Sequence, residues 1–145
     1  MLDWSNLAFG DIFTVARNVP LVGRRAGKAI LKLLMGGVAL DSLHLVGHSM
    51  GAHTMGAAAG HLNARGYKVP RLTGLDPASI GFYQFLLPPV AQPLGRSAAV
   101  FVDIIHTDSG WFGAPSPAGH ADFWPNGGRG PQPGCIASLP LTGQS

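Results

Sequence analysis

The sequence Gly47-His48-Ser49-Met50-Gly51 limits the possible folds of this chain more than any other segment, because of what flanks it. Residues 43–46 (Leu-His-Leu-Val) form a short apolar run, typical of a strand buried in a parallel sheet. Residues 52–62 are mostly small and apolar, which favours a helix packed closely on that sheet. The two glycines are expected to remove side chains where strand and helix would collide. Ser49 can then adopt the strained backbone that exposes its hydroxyl.

Strands and helices alternate along the rest of the chain, which predicts an α/β fold with a mostly parallel sheet and flanking helices. Further strands are expected at residues 71–75 and 98–105, the latter rich in branched and apolar side chains, and as a stub at 2–4. The Pro-rich residues 88–93 and the Gly/Pro-rich residues 113–133 are predicted to be loops.

One long helix is predicted before residues 47–51, the sharp strand-to-helix turn that we call the elbow. Apolar residues recur at spacings of three and four from Val19 to Leu33, with Asn18 as a suitable cap and Pro20 tolerated in the first turn. Gly36 and its glycine neighbour should end this helix. A separate helical turn is expected over residues 11–17.

The charge distribution argues against nucleic acid as a partner. The 145 residues carry ten Lys or Arg against seven Asp and no Glu, and 46% of them are hydrophobic, enough for one domain with a core. Half of the basic residues lie in one early segment: Arg17, Arg24, Arg25, Lys28 and Lys32. Because no aromatic residues interleave with them, we interpret them as the solvated face of a helix, with at most a weak attraction to anionic lipid surfaces.

The sequence predicts neither a membrane span nor a signal peptide. No apolar stretch approaches the length that crosses a bilayer, and the start has an early Asp3 with no basic segment before an apolar run. Cys135 is the only cysteine, so it is either a free thiol or half of a bridge whose partner lies elsewhere.

The exposed serine raises the question of its catalytic partners. A serine hydroxyl attacks an ester only when a histidine takes its proton and a carboxylate holds that histidine. Asp76 fits the acid, because it follows the predicted strand at 71–75, at the edge where sites in open α/β sheets gather. On its own, an aspartate before a proline is more often a turn residue. Chain order permits either His106 or His120 as the base.

Several runs resemble the animal pancreatic-lipase family, in its insect-type branch, over nearly the whole chain. They are residues 3–5 (Asp-Trp-Ser), 16–20 (Ala-Arg-Asn-Val-Pro), 44–53 (His-Leu-Val-Gly-His-Ser-Met-Gly-Ala-His), 72–78 (Leu-Thr-Gly-Leu-Asp-Pro-Ala), 101–108 (Phe-Val-Asp-Ile-Ile-His-Thr-Asp), 119–128 (Gly-His-Ala-Asp-Phe-Trp-Pro-Asn-Gly-Gly) and 132–135 (Gln-Pro-Gly-Cys). The resemblance implies an α/β-hydrolase fold, incomplete at both ends. Residues 1–135 would be the central part of the domain, and 136–145 a divergent tail.

The resemblance also implies the chemistry of a secreted lipase or phospholipase A1, with Ser49 as nucleophile, Asp76 as acid and the Met50 N–H in the oxyanion hole. The family's catalytic histidine lies downstream of the Pro-Gly-Cys run, in a segment that this chain does not contain. His106 and His120 match positions that the family does not use as its base, so both are expected to be structural. The family's second oxyanion donor precedes the Asp-Trp-Ser run and is also missing here.

The family resemblance leaves no metal expected. The calcium loop of some members would fall near residues 92–98, which lack acidic side chains, and a zinc site among His44, His48 and His53 is improbable at their spacing. Cys135 would normally bridge to a cysteine near the absent histidine. No cofactor is expected, and the family's extracellular location would require an export signal that this chain does not carry.

Two hypotheses from different classes follow. The first is a serine ester hydrolase, or the central piece of one, acting on lipid esters at a lipid interface. The second is a non-catalytic lipase-like fragment that binds at most lipid or a partner. A usable base near Ser49 distinguishes them, because removing one triad member costs many orders of magnitude in rate.

Overall fold

The computed structural model describes residues 2–83 and 88–135 as one sheet of four parallel strands with two helices. The strands are β1 (His44–His48), β2 (Arg71–Leu75), β3 (Phe101–Ile105) and β4 (Ala121–Phe123), and they lie in the sheet in chain order. The helices are α1 (Ile12–Met35) and α2 (Met50–Asn63). The α/β fold with a parallel sheet and flanking helices is thereby confirmed.

The main hydrophobic core lies between α2 and the sheet. Alternate residues of a strand point to opposite faces, and Leu45, Leu72 and Val102 form one buried row across three strands. Small residues of α2, such as Ala52 and Ala59, pack against this core. Burying each large aliphatic side chain of the row contributes about 2 kcal/mol, so this contact fixes α2 and the elbow before it.

α1 is one continuous helix, so the prediction of a short turn followed by a helix capped at Asn18 is wrong. The cap is Asp11, whose Oδ1 accepts hydrogen bonds from two first-turn N–H groups at 3.0 and 3.1 Å. The Asn18 amide instead donates to the C=O of Leu7 at 2.9 Å. Pro20 lies inside the helix and removes one backbone hydrogen bond. Packing of the buried face of α1 outweighs this local cost.

α1 lies directly against α2 because two of its glycines bring the helices close together. A Cβ on Gly23 would lie 2.4 Å from the Cβ of Ala57, and one on Gly27 would lie 2.9 Å from the C=O of Ala58. On the opposite side of α1 all five basic residues are exposed, which confirms that they line a solvated helix face.

β4 lies within residues 113–133, which the sequence predicted to be loop. It has only three residues, and the middle one is Asp122, so no apolar run marked it as a strand. Its pairing with β3 runs from Asp103 to Ile105. Backbone hydrogen bonding to an already formed strand therefore defines β4, and a pattern of side chains does not reveal this.

Two other boundaries differ from the sequence prediction. Residues 2–4 form no strand, and a single 3₁₀ turn, Ser5–Leu7, follows them. β3 begins at Phe101 rather than at residue 98, because Arg96–Ala98 form another 3₁₀ turn. Both differences concern short segments in which local hydrogen bonds compete with strand pairing.

The sheet face opposite α2 carries a connected polar network. Arg71 donates two hydrogen bonds to the buried carboxylate of Asp103, from Nε at 3.0 Å and from Nη2 at 2.9 Å. The Thr73 hydroxyl donates to the same carboxylate at 2.9 Å, and the His44 ring contacts that hydroxyl at 2.8 Å. The Arg71 guanidinium, followed by the Thr73 hydroxyl, holds the pKa of Asp103 below its usual value despite burial.

Replacing Arg71 by Met tests this network, because it leaves the buried Asp103 carboxylate without its ion pair. The Arg71 side chain is 52% exposed, so water can partly replace it, and we expect a modest but measurable loss in the free energy of unfolding. Urea titration at pH 7 measures this loss. Arg25→Met, at an exposed position of α1, is the matched control and should change stability by less than about 0.5 kcal/mol. Equal losses in the two variants would contradict the network's contribution.

Candidate functional site

Ser49 occupies a strained turn between β1 and α2. It follows His48, the last residue of β1, and precedes Met50, the first residue of α2. Its backbone has φ 52° and ψ −124°, a conformation that costs a non-glycine residue on the order of 1–3 kcal/mol. Packing of β1 and α2 on either side maintains this strain. Ser49 therefore lies at the edge of the sheet where β1 ends.

The two glycines of the elbow have different environments. A Cβ on Gly47 would lie 2.2 Å from the carbonyl oxygen of Gly51 and 2.6 Å from the nitrogen of Ala52, so only glycine fits there. A Cβ on Gly51 would meet no atom within 4 Å. The expectation that both glycines prevent a collision is therefore correct for Gly47 and wrong for Gly51 within the described residues.

Asp76 follows β2 in a second unusual backbone conformation. Its φ is 44°, and its N–H donates to the C=O of Ile105 at 2.7 Å. Its Oδ1 accepts hydrogen bonds from the N–H groups of Thr107 at 3.1 Å and Asp108 at 3.2 Å. A Cβ on Gly113 would lie 2.3 Å from this oxygen. Backbone of the loop between β3 and β4 thus surrounds the carboxylate and fixes its position.

Ser49 and Asp76 lie at the same edge of the sheet. The register pairs His48 with Leu75, so each of the two residues comes directly after one of these paired strand ends. The N–H of Ser49 also donates to the C=O of Leu75 at 2.9 Å, which continues the strand pairing into the elbow. Adjacent strands are about 4.8 Å apart, so the backbones that carry the hydroxyl and the carboxylate are neighbours.

The N-terminus of α2 adds hydrogen-bond donors at this edge. Met50 is the first residue of the helix, and the first N–H groups of a helix have no partner within it. They also carry the positive end of the helix dipole, which favours a developing negative charge. The Met50 side chain packs against the small cluster of Ala16, Val19, Ala78 and Phe82, which holds this turn in place.

His106 is buried and engaged away from the elbow. Its Nε2 lies 2.8 Å from Oδ1 of Asp122, and its ring stacks on Trp124 with centroids 3.7 Å apart. Its Nδ1 is buried without a hydrogen-bond partner among the described residues. His106 follows β3, two strands from β1, so its backbone is about 10 Å from that of Ser49.

Asp122 is held as a carboxylate in this cluster. Burial raises its pKa, but hydrogen bonds from His106 and from the N–H groups of Ala118 and Gly119 outweigh burial, and the pKa is lowered overall. The cluster of His106, Asp122 and Trp124 therefore links β3 to β4 and to the segment before β4.

His120 lies towards the other end of the sheet. Its ring Nδ1 accepts a hydrogen bond from the backbone N–H of Val102 at 3.0 Å, and the backbone N–H of His120 donates to the C=O of Val102 at 2.7 Å. Val102 precedes the end of β3 by three residues, or about 10 Å at the rise of a strand. The geometry therefore gives both His106 and His120 local structural contacts.

His53 connects the elbow helix to the segment after Asp76. Its Nδ1 accepts from the N–H of Leu94 at 2.9 Å, its Nε2 lies 2.8 Å from the C=O of Ala78, and its ring stacks on Phe82 at 3.7 Å. Because a backbone N–H donates to Nδ1, the proton of the neutral ring is on Nε2. Burial lowers the pKa of His53 to about 4, so the ring is neutral at pH 7.

The other histidines have separate surroundings. His61, near the end of α2, contacts the guanidinium of Arg65 at 3.1 Å, and burial followed by that charge lowers its pKa. His44 belongs to the network around Asp103, and His48 is exposed at the end of β1. Among the described residues no three His, Cys, Asp or Glu side chains form a group that could hold a metal ion.

Sequence reasoning missed the groups that hold Asp76. They are the backbone N–H groups of residues 107 and 108 and the absence of a side chain at Gly113. Backbone donors leave no pattern in a sequence. A glycine directly after two aromatic residues, in Trp111-Phe112-Gly113, was the signal that the sequence offered.

In the described part of the chain Cys135 is an exposed free thiol, and no helix combines the length and apolarity needed to cross a bilayer.

Comparison with known proteins identifies the family. The family model described as Lipase matches residues 1–142. Pancreatic lipase-related protein 2 of Homo sapiens is 39% identical over 141 residues, which cover 92% of this chain and 29% of that protein. Pancreatic lipase-related protein 2 of Cavia porcellus is 38% identical over 145 residues, covering 95% and 32%. Phospholipase A1 member A of Rattus norvegicus is 37% identical over 140 residues, covering 95% and 29%.

The chain thus spans about a third of the length of these relatives. The range matched by the family model includes all the runs that carried the resemblance, which lie between residues 3 and 135. The chain belongs to the pancreatic lipase family.

Proposed function

We propose that this chain carries the nucleophile and acid of a carboxylic ester hydrolase that acts on glycerolipids. Ser49 is the nucleophile, Asp76 the acid of the triad, and the Met50 N–H an oxyanion donor. The observation that carries this proposal is the strained elbow: Ser49, at φ 52°, and Asp76 directly follow paired strand ends, and the Asp76 carboxylate is held by two backbone N–H groups.

The proposed reaction proceeds by acyl transfer. The Ser49 hydroxyl oxygen attacks the ester carbonyl carbon while a histidine base takes its proton. The oxygen of the tetrahedral intermediate accepts a hydrogen bond from the Met50 N–H. Collapse expels the alcohol, which receives the proton, and water then hydrolyses the acyl-serine. Asp76 would orient the base and stabilise its protonated form.

The base of this reaction is the part that these residues do not supply. Two histidines, His53 and His106, are buried and hydrogen-bonded. Two more, His44 and His120, form hydrogen bonds to residues of the sheet. His61 lies near the end of α2 that is far from Ser49. The side chain of His48 lies on the same face of β1 as that of His44, because alternate residues of a strand point the same way. This is the sheet face opposite α2. We therefore propose a base outside these 145 residues and strongly impaired turnover by the chain alone.

The names of the relatives suggest the substrate class. One group is named pancreatic lipase-related protein 2 and the other phospholipase A1, so we propose a triglyceride or a phospholipid as the ester. Extracellular action on lipid aggregates follows as part of the same proposal, with no cofactor required by the acyl-transfer chemistry.

The second candidate function is a non-catalytic lipase-like piece that binds lipid or a partner. The engagement of His106 by Asp122 and Trp124 favours it, because this histidine is the one that directly follows a strand at the edge where Ser49 lies. The two candidates differ in whether Ser49 still reacts when a base is provided.

Chemical rescue tests the proposed function. We expect the purified chain to hydrolyse p-nitrophenyl butyrate slowly, with a Ser49-dependent rate that rises several-fold when imidazole is added as an external base. Ser49→Ala measures the background from imidazole itself. No Ser49-dependent turnover at any imidazole concentration would favour the non-catalytic candidate. Fast turnover without imidazole that disappears in His120→Ala or His106→Gln would overturn the proposed missing base.

A further inference from the structure

Two aromatic side chains project into solvent beside Asp76. Trp111 is 64% exposed and Phe112 is 43% exposed, and their rings meet edge to face with centroids 6.1 Å apart. We call these two residues the aromatic tip. Large exposed aromatic residues that pack on each other rather than on the core indicate a surface that binds a partner.

The aromatic tip is fixed to the protein by its backbone. The N–H of Ser79 donates to the C=O of Phe112 at 2.7 Å, and its hydroxyl donates to the C=O of Trp111 at 2.9 Å. The N–H of Gly113 donates to the C=O of Asp108 at 2.9 Å and closes the loop. Because the tip is already ordered, its binding to a partner costs little conformational entropy.

The same loop positions the tip beside the proposed acid. Asp108, before the tip, donates its N–H to the Asp76 carboxylate, and Gly113, after the tip, leaves no room for a side chain against that carboxylate. Ser79, whose hydrogen bonds hold the tip, lies only three residues after Asp76 in the sequence. The tip therefore lies at the sheet edge where an ester substrate would have to approach.

The chemistry of the tip fits an uncharged partner surface. Residues 107–119 contain no Lys or Arg, and Asp108 is their only ionisable residue. Trp and Phe prefer the boundary between water and the acyl region of a lipid layer. The five basic residues, by contrast, lie on α1 and would respond to anionic lipids.

We propose that the aromatic tip is a rigid lipid anchor, which inserts into a neutral lipid–water interface and holds the edge with Ser49 and Asp76 against it. This inference rests on the proposed function for its choice of lipid as the partner. Its binding step is independent of hydrolysis, because insertion needs neither a base nor a reactive serine.

Partition onto vesicles tests the anchor. The chain is sedimented with vesicles of ether-linked phosphatidylcholine, which has no carboxylic ester to hydrolyse. The buffer contains 0.5 M salt, which screens the charges of the five basic residues on α1. We expect Trp111→Ser to lower the partition coefficient about tenfold and Phe112→Ser to lower it several-fold. Val100→Ser is the matched control, because Val100 is 62% exposed just before β3, at the other end of the sheet. It should leave partition unchanged.

A spectroscopic measurement shows whether the tip itself enters the lipid. Lipids brominated on the acyl chains should quench the fluorescence of the wild-type chain, and Trp111→Phe should remove most of that quenching although Trp4 and Trp124 remain. Circular dichroism confirms that each variant is folded. Partition equal in wild type and Trp111→Ser, or absent quenching, would overturn the anchor.

The two proposals can fail separately. Imidazole-dependent turnover of a soluble ester without vesicle binding would refute the anchor and retain the hydrolase. Tip-dependent vesicle binding without Ser49-dependent turnover would refute the hydrolase and retain the anchor. Binding only to anionic vesicles at low salt would assign lipid attraction to the basic face of α1 and also refute the anchor.

Discussion

Gly47→Ala is expected to prevent the chain from folding stably. The added methyl carbon would lie 2.2 Å from the carbonyl oxygen, 2.4 Å from the carbonyl carbon of Gly51 and 2.6 Å from the nitrogen of Ala52. All three are backbone atoms in the first turn of α2, so no side chain can move aside. Relief requires moving α2 away from β1 and opening the main core, and we expect a loss of about 4 kcal/mol or more in the free energy of unfolding.

Urea unfolding and the yield of soluble protein measure this effect. Gly51→Ala is the control within the same motif, because its Cβ would meet no atom within 4 Å. A glycine-to-alanine change in a helix is itself favourable by about 0.5–1 kcal/mol, so this variant should be as stable as wild type or slightly more stable. Equal destabilisation by the two substitutions would show that the close approach of Gly47 to Gly51 does not limit the fold.

Acidification below pH 6.5 is expected to destabilise the protein through His53. Burial lowers the pKa of this ring to about 4 in the folded state, whereas the unfolded chain keeps a value near 6.5. Between these values the unfolded state binds more protons, so stability is full above pH 6.5 and falls as the pH approaches 4. A pKa lowered from 6.5 to about 4 corresponds to roughly 3 kcal/mol of stability, which is lost in full only below pH 4.

Protonation of His53 destabilises the folded state because its buried ring already makes hydrogen bonds through both nitrogens. Protonation would add an N–H at Nδ1, facing the N–H of Leu94 that now donates to it. Urea unfolding at intervals between pH 4 and 8 measures the effect in wild type and in His53→Gln. The difference between the two curves isolates His53 from His61, whose pKa is also lowered. The exposed His48→Gln is the control and should keep the wild-type pH dependence. The same pH dependence in His53→Gln as in wild type would contradict this prediction.

The sequence predicted those parts of the fold in which side-chain pattern and geometry coincide. The apolar run before Gly47 and the branched residues of β3 were recognisable because buried parallel strands require them. α1 was only partly predicted, since Pro20 argued for a helix start, whereas packing against α2 carries the helix through it from Ile12. β4 was missed because its pairing is made by backbone groups.

The candidate site divides in the same way. Ser49 and Asp76 could be selected from motif and chain order, since their side chains supply the chemistry. Their positive φ values, and the backbone N–H groups that hold the carboxylate, are tertiary features with no local signature. The surroundings of His106 and His120 likewise depend on Asp122 and Val102, contacts that a single sequence does not reveal.

The most direct test is to map fluorophosphonate adducts by mass spectrometry. It shows whether Ser49 is a nucleophile and whether any histidine among these residues acts as its base. Loss of the histidine from a serine triad lowers the rate by roughly a million-fold, so labelling by the purified chain should be slow. We predict an adduct confined to Ser49, with the same slow rate in His106→Gln and His120→Ala. Rapid labelling of Ser49 that disappears in either histidine variant would contradict this prediction.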